Sequence, residues 1–433
     1  MASFSADAAP AALASTRGKP LTNRWLTLLL LLLVALLNYA DRFLMSGLAQ
    51  PIKKQFGIGD AAMGVLMGPA FALLYTLFAL PIARLADRHS RIAIIALGCA
   101  VWSFFTVMSG LATSPVMLAM ARVGVGIGEA AYQAPTAALI AAYFPVEQRG
   151  RAFALLGTAI YFGQMTGYAG GPAIAAAYDW HTAFYALGVA GLAVAAAAIL
   201  VVREPAREVS ANPPPTLALW PTVRLLVARP SILYLAGLLG FGSLSGVTFG
   251  MWGPALFERA YGLSTAQAGT TFALTFGLPG LAGMLGFGFL ADKFGRNDPT
   301  AQLRLAAIAL GGCTTLIMGV VWVDDLTTAR LLALPAGLLG GGWSVAVMGS
   351  LQYMLPNHHR ATGTAVVLLI TGLFATVLGP VAAGQLSDWI AGAGATGLRI
   401  GLSVAVPTAY LGVATALAAT RTLENDRAAL AHD

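Results

Sequence analysis

Four charged residues sit deep inside long apolar runs of this 433-residue chain: Asp41 and Arg42 in one run, Arg122 and Glu129 in another. If those runs are membrane helices, each charge costs at least ~2.5 kcal/mol at mid-depth, so it needs a cavity and a partner. Two carboxylates beside guanidiniums suit proton carriage, because desolvation and a like charge favour the protonated acid while arginine favours the ionised one. Arginine cannot release a proton. Its planar fork instead matches a phosphate or carboxylate, which would compete with Asp41 or Glu129 for the same donor. That competition is a physical route to exchanging a proton for an anionic substrate. A static buried salt bridge that locks the two runs together is the alternative.

The elements that must position these residues are membrane helices. The chain is 58% hydrophobic and only 10% charged, against about 25% charged in soluble domains, which excludes a soluble globular protein. Apolar runs long enough to span a bilayer recur throughout, without the strand-length alternation of a β-barrel. Twelve spans are predicted, at 25–50, 61–83, 92–112, 116–143, 152–177, 182–202, 231–257, 265–290, 304–323, 329–355, 363–387 and 398–420. Residues 1–24 form an N-terminal tail and 421–433 a C-terminal one. The stretch 203–230, which contains Pro213, Pro214 and Pro215, is the longest polar interruption and reads as a linker between two six-helix lobes. No small-residue cleavage site follows the Leu-rich start of the first span, which is therefore read as a helix and not as a signal peptide.

Placing the amino terminus in the cytoplasm puts 18 Lys and Arg on the cytoplasmic side and five, Lys53, Lys54, Arg259, Arg330 and Arg399, on the other. The positive-inside rule then sets both termini in the cytoplasm and explains the net charge of +7 without nucleic acid. The segment Ala83–Arg91, with Asp87, Arg88 and Arg91, recurs at an offset of 205 as Gly288–Arg296, with Asp292, Lys293 and Arg296. A second pair, Pro145-x-x-x-Arg149 and Pro356-x-x-x-Arg360, recurs at an offset of 211. Two halves in the same orientation form the parallel-repeat plan of an alternating-access transporter, with its site near the bilayer midplane.

The loop pattern G-x-L-x-D-R-x-x-R after the second span of each half resembles the signature of the major facilitator superfamily, and the likeness extends over the whole chain. Gly or Ala permits close helix approach, the Asp can sit at the amino end of a neighbouring helix, and the Arg residues can tie to carboxylates such as Glu147. Asp87, Arg88, Arg91, Glu147, Arg149, Asp292, Arg296 and Arg360 are thus expected to form a gate holding the cytoplasmic face shut.

Geometry limits how the buried charges pair. Asp41 and Arg42 lie about 100° apart on one helix and cannot face each other well. Arg122 and Glu129 share a face but are about 10 Å apart along the axis. Counted from the cytoplasmic ends, Asp41 and Arg42 stand roughly 24–26 Å up the first helix and Glu129 roughly 21 Å up the fourth. Arg42 is expected to reach Glu129, with Asp41 near both and Arg122 toward the outer side.

At these residues the resemblance narrows. Asn38-Tyr39-Ala40-Asp41-Arg42-Phe43 and the run Arg122–Tyr132 are similar to signatures of the Spinster family, and Gly59-Asp60 and Trp343 also fit. Members of that family export sphingosine-1-phosphate or lysophospholipids. The resemblance implies proton coupling by Asp41, Glu129 and Arg42 and head-group binding by Arg42 and Arg122. The chain departs from the animal members in having no charge in the middles of spans seven to twelve.

Tyr132, Gln133, Tyr161, Gln164, Trp343, Met348, Tyr353 and Thr371 are candidate cavity-lining residues. Gly126-x-Gly128-x-x-Ala131 fits a loose dinucleotide pattern, but no strand precedes it, so close helix packing explains it. Gly124-x-x-x-Gly128 and Gly163-x-x-x-Gly167-x-x-x-Gly171, with Pro172 after it, allow helices to approach and hinge; for the last, packing alone and a role in rocking are both open. The five His fall in loops or tails and the two Cys in apolar runs, so no metal, cofactor or disulfide is expected. No H-E-x-x-H or G-x-S-x-G motif points to an enzyme. The expectation is an all-α, twelve-helix major facilitator fold in a bacterial inner membrane, working as a monomer. Its expected activity is proton-coupled export of amphipathic anionic lipids, with transport of small organic anions or drugs as the alternative.

Overall fold

A computed structural model describes residues 22–205, 224, 226–295, 298–355, 360–392 and 394–430. The tail 1–21, most of the linker and the last three residues lie outside the described residues. Among the described residues every regular element is helical, and ten helices are long and apolar enough to cross a membrane. The first half supplies α1 (Arg24–Gly47), α2 (Ala49–Phe56), α3 (Asp60–Met67), α4 (Pro69–Arg88), α5 (Arg91–Gly110), α6 (Pro115–Glu129), α7 (Gln133–Tyr143), α8 (Val146–Met165), α9 (Gly171–Ala177) and α10 (Trp180–Val201). The second half supplies α11 (Pro230–Tyr261), α12 (Thr265–Phe272), α13 (Leu278–Gly295), α14 (Pro299–Trp322), α15 (Leu326–Met354), α16 (Arg360–Ala391), α17 (Ala395–Ala405) and α18 (Ala409–Leu430). A π turn, Thr166–Gly170, joins α8 to α9, and a second, Ala273–Gly277, joins α12 to α13.

Several predicted spans are interrupted. The first stops at Gly47, and the second is split at Gly68, directly ahead of Pro69. The fourth is split at Ala130–Tyr132, because Pro135 has no N–H for the Ala131 carbonyl that would continue the ladder. The last helix runs to Leu430, beyond the predicted end at 420. Side-chain caps start several of the helices: Asn23 accepts from Trp25, Ser90 from Ala93, Ser114 from Met117 and Asp179 from Thr182. Each such cap contributes about 1 kcal/mol.

Between helices in lipid, attraction comes from close packing and not from water exclusion. Two glycine stripes set the contacts that matter here. A Cβ at Gly163 would lie 2.5 Å from the Tyr39 Cβ, and one at Gly167 2.7 Å from the Ala40 carbonyl oxygen, so α8 and its π turn press directly on α1. A Cβ at Gly128 would lie 2.5 Å from the Trp102 backbone nitrogen, so α6 presses equally closely on α5. These contacts fix the two helices that carry the buried charges.

The start of α11 is bonded to the end of α18, through Ser231 N to Asp426, and its far end reaches the start of α3, through Arg259 to Asp60. The start of α1 and the end of α18, the terminal helix ends among the described residues, therefore share one face, and residues 48–60 lie on the opposite face. One buried apolar cluster, including Leu48, Ile52, Tyr168, Trp252, Phe257 and Phe272, joins both halves toward the opposite face. Toward the terminal face each half keeps its own core, with Leu31, Trp102 and Tyr143 in the first and Leu235, Leu303 and Leu351 in the second.

Candidate functional site

α1 and α6 bring the four charges together as two ion pairs. Arg42 Nε donates to Glu129 Oε2 at 2.7 Å, and Arg122 Nη1 donates to Asp41 Oδ2 at 2.5 Å. The second pairing is one that axial counting missed. Thr106 on α5 donates to the remaining Asp41 oxygen at 2.7 Å. The pairs differ in access. Asp41 and Arg122 side chains are 1% and 2% exposed, a closed unit, whereas Arg42 is 20% exposed and Glu129 is fully buried behind it. Glu129 Oε1 accepts no hydrogen bond among the described residues. The Arg42 guanidinium lies over the Phe71 ring at 4.7 Å, Tyr75 at 4.9 Å and Tyr39 at 5.6 Å, which holds it at the wall of a cavity.

That cavity has a volume of about 370 Å³ and is lined from the first half by Tyr39, Arg42, Phe71, Arg122, Tyr161 and Gln164. The second half contributes Ser243, Phe276, Thr314, Trp343, Ser344 and Thr376, among others, and, among the described residues, no charged side chain. Tyr132 and Gln133 line a separate side pocket of about 340 Å³, with Phe153 and Met284, that shares only Tyr39 and Ile160 with the central one. Three expected lining residues point elsewhere. Thr371 turns its hydroxyl onto the Val367 carbonyl of its own helix, Met348 packs against the second-half core, and Tyr353 lies under the Arg427 guanidinium. All three sit on helices apolar on every side, where periodicity does not say which face meets a cavity.

Comparison with known proteins agrees with this architecture. The Major Facilitator Superfamily profile matches residues 31–380. An MFS-type efflux pump of Mycolicibacterium smegmatis is 32% identical over 368 residues, covering 84% of each chain. Protein spinster homolog 1 of Bos taurus is 30% identical over 381 residues, covering 82% of this chain and 71% of the relative. The chain belongs to the Spinster family of the Major Facilitator Superfamily. A crystal structure of a bacterial homologue of the human lysosomal transporter Spinster, inward-facing and unoccupied, matches with a TM-score of 0.80 at 27% identity, over 93% of this chain and 98% of that one. This Spinster relative is accordingly a multi-pass membrane transporter and not an enzyme.

The residues expected to form a cytoplasmic gate are placed as follows in this Spinster chain. Arg91 pairs with Glu204, at 3.7 Å, and not with Glu147; Glu204 also accepts from Ser90 and from the Arg91 backbone. Glu147 is exposed in the first turn of α8. Arg149 donates to the Ala141 and Phe144 carbonyls, closing the end of α7. Asp87 and Arg88 are exposed at the end of α4. Arg296 and the side chains of Asp292 and Arg360 lie outside the described residues.

A polar cluster at the opposite face was not anticipated. Asp60, fully buried, accepts both terminal nitrogens of Arg259 at 2.6 Å, the Ser387 hydroxyl at 2.6 Å and the Lys53 ammonium. Asp388 accepts the backbone N–H groups of Asp60 and Ala61, at 2.9 and 2.8 Å, and so caps α3 from the second half. The approach requires Gly59, where a Cβ would stand 2.5 Å from the Asp388 carboxylate. This cluster ties the halves together across the opposite face. Its signals in the sequence were Gly59-Asp60 and two of the five outer basic residues.

Proposed function

We propose that this Spinster-family protein is a proton-coupled, alternating-access exporter of amphipathic lipids bearing a phosphate, of the lysophospholipid or sphingosine-1-phosphate type. The observation that carries the reading is the Arg42–Glu129 pair: a cavity-facing guanidinium bound to a buried carboxylate whose other oxygen is unpartnered. A head-group phosphate competes with Glu129 for Arg42. Contrary to the exchange expected from the sequence, that competition on its own favours the protonated acid, so proton and anion would bind together. Export driven by an inward proton gradient needs the opposite linkage. A head group whose ammonium takes Glu129 while its phosphate takes Arg42 supplies it, because the ammonium favours the ionised carboxylate and so competes with the proton. Sphingosine-1-phosphate and zwitterionic lysophospholipids carry both charges. The lipid chain lies against the uncharged wall of the second half, around Trp343 and Phe276.

In this reading the twelve spans form two six-helix lobes, 25–202 and 231–420, around the cavity. The terminal face is cytoplasmic, the membrane is the bacterial inner membrane, and the monomer is the working unit. The Asp60 cluster closes the outer side, and the loops around Asp87 and Asp292 close the cytoplasmic side in the other state. The name of the M. smegmatis relative supports efflux. Transport of small organic anions or drugs is the second reading, favoured by the modest cavity volume. The test is transport into proteoliposomes of a zwitterionic lysolipid, its neutral alcohol counterpart and a short-chain acid, with and without an imposed pH gradient. Gradient-driven movement of the lysolipid alone supports the proposal, and movement of the short-chain acid alone replaces it with the second reading.

A further inference from the structure

Helix α11 runs without a break through Pro254. In an α-helix the carbonyl of residue 250 is bonded by the N–H of residue 254. Proline has none, so the Gly250 carbonyl, deep in the protein, loses its helical donor. Leaving it bare would forfeit the equivalent of a hydrogen bond in a dry interior. The donor comes from the other half of the molecule. Tyr168 Oη donates to Gly250 O at 2.8 Å. Ser46, at the end of α1, lies 3.2 Å from the same oxygen and 2.6 Å from the Met251 carbonyl, and its single hydroxyl proton goes to the closer of the two.

Tyr168 also sits in an irregular segment, the π turn Thr166–Gly170. Such a turn inserts one residue into the helical ladder and re-aims the side chains around it, and π turns recur at functional positions. The Tyr168 ring is packed edge-on against Phe272 at 5.1 Å and tilted against Phe43 at 5.0 Å, which directs its hydroxyl at α11. From the second half, α12 rests on the turn itself: a Cβ at Gly269 would lie 1.9 Å from the Tyr168 carbonyl oxygen. We infer that Pro254 and the Tyr168 π turn form a matched latch, in which a proline in one half frees an acceptor and a π turn in the other half presents its donor, so that the opposite face closes to one definite register. When the face opens, water must replace Tyr168 at the Gly250 carbonyl. The inference concerns the conformational equilibrium and does not depend on the lipid or proton reading.

The test uses nitroxide labels at Lys54 and Thr327, exposed on the two halves at this face, in the full-length protein with Cys99 and Cys313 replaced by Ala. Pulsed dipolar distances give the open-to-closed ratio. Tyr168→Phe removes the donor and should raise that ratio roughly two- to tenfold. Pro254→Ala restores the helical N–H, and in that background Tyr168→Phe should change the ratio by less than about twofold. Ser46→Ala should have a smaller effect than Tyr168→Phe. Should Pro254→Ala fail to fold, Gly269→Ala serves instead: it should open the face, with no further opening on adding Tyr168→Phe. An unchanged distribution in Tyr168→Phe, or an equal effect of that substitution in both backgrounds, overturns the latch.

Discussion

Replacing Glu129 by Gln separates the two halves of the proposed coupling. The Arg42–Glu129 contact at 2.7 Å is a charge-assisted bond with the acceptor fully buried, worth about 1.5–3 kcal/mol. A phosphate-only lysolipid, whose only charge is a phosphodiester that stays singly ionised throughout the titration unlike a phosphomonoester, must break it to claim Arg42. Lowering the pH protonates Glu129 and releases Arg42, so binding of that lipid by the wild type should tighten by roughly ten- to a hundredfold across the titration. A zwitterionic lysolipid gains from ionised Glu129 through its ammonium, so its binding should weaken as pH falls. Glu129→Gln keeps the shape and removes the charge. Both lipids should then bind with little dependence on pH, the phosphate-only one at about the affinity the wild type shows in acid. The assay is equilibrium binding of labelled lysolipids to the protein in nanodiscs at a series of pH values, with matching neutral alcohols as controls. A pH dependence that survives Glu129→Gln, or a wild type in which both lipid classes shift in the same direction, would refute the assignment.

The two arginines should not behave alike. Arg122→Ala leaves Asp41 buried beside Thr106 without its charge partner, which should cost about 3–5 kcal/mol of stability; a thermal unfolding midpoint equal to wild type would contradict this, and adding Asp41→Asn should recover part of the loss. Asp60→Asn removes the charge and turns one of the two oxygens that accept from Arg259, Lys53 and Ser387 into a donor, and should move the Lys54 to Thr327 distance toward the open state by roughly a hundredfold or more in population; a closed distribution would remove the cluster from the closure. Asp87→Asn should favour the state shown here, closed at the opposite face, without abolishing ligand binding, and a gain in the outward-open population in the same spin-label measurement would reverse that role.

Much of the fold can be read from the sequence because lipid enforces a simple rule: a spanning segment must be a helix and must be apolar over its length. Hydropathy therefore locates the spans, and helical rise brings Arg42 to Glu129. It is blind to events that leave an apolar run apolar. Pro69 and Pro135 mark the breaks at Gly68 and after Glu129, and Gly167 with Gly171-Pro172 flanks the π turn at Tyr168, but none of them interrupts the hydropathy of its span, and the same glycines read equally as close packing. The Arg122–Asp41 pair escaped because axial counting treats side chains as points, whereas a long arginine spans more than a turn. Asp60 escaped for a different reason. It lies at the edge of its span, where a charge costs little during insertion, and only the approach of the second half, through Arg259 and Ser387, buries it.

The cavity wall is chemically divided: among the described residues every charged side chain on it comes from the first half, and the second half offers uncharged surface. Inheritance can act on these two surfaces separately. Substitutions on α11, α14 or α15 reshape the volume offered to a cargo without touching Arg42 and Glu129, the residues proposed here to couple it to protons, so under that proposal new cargoes can be acquired by drift in one half under constant selection on the other. A family built this way can keep one engine through many changes of freight.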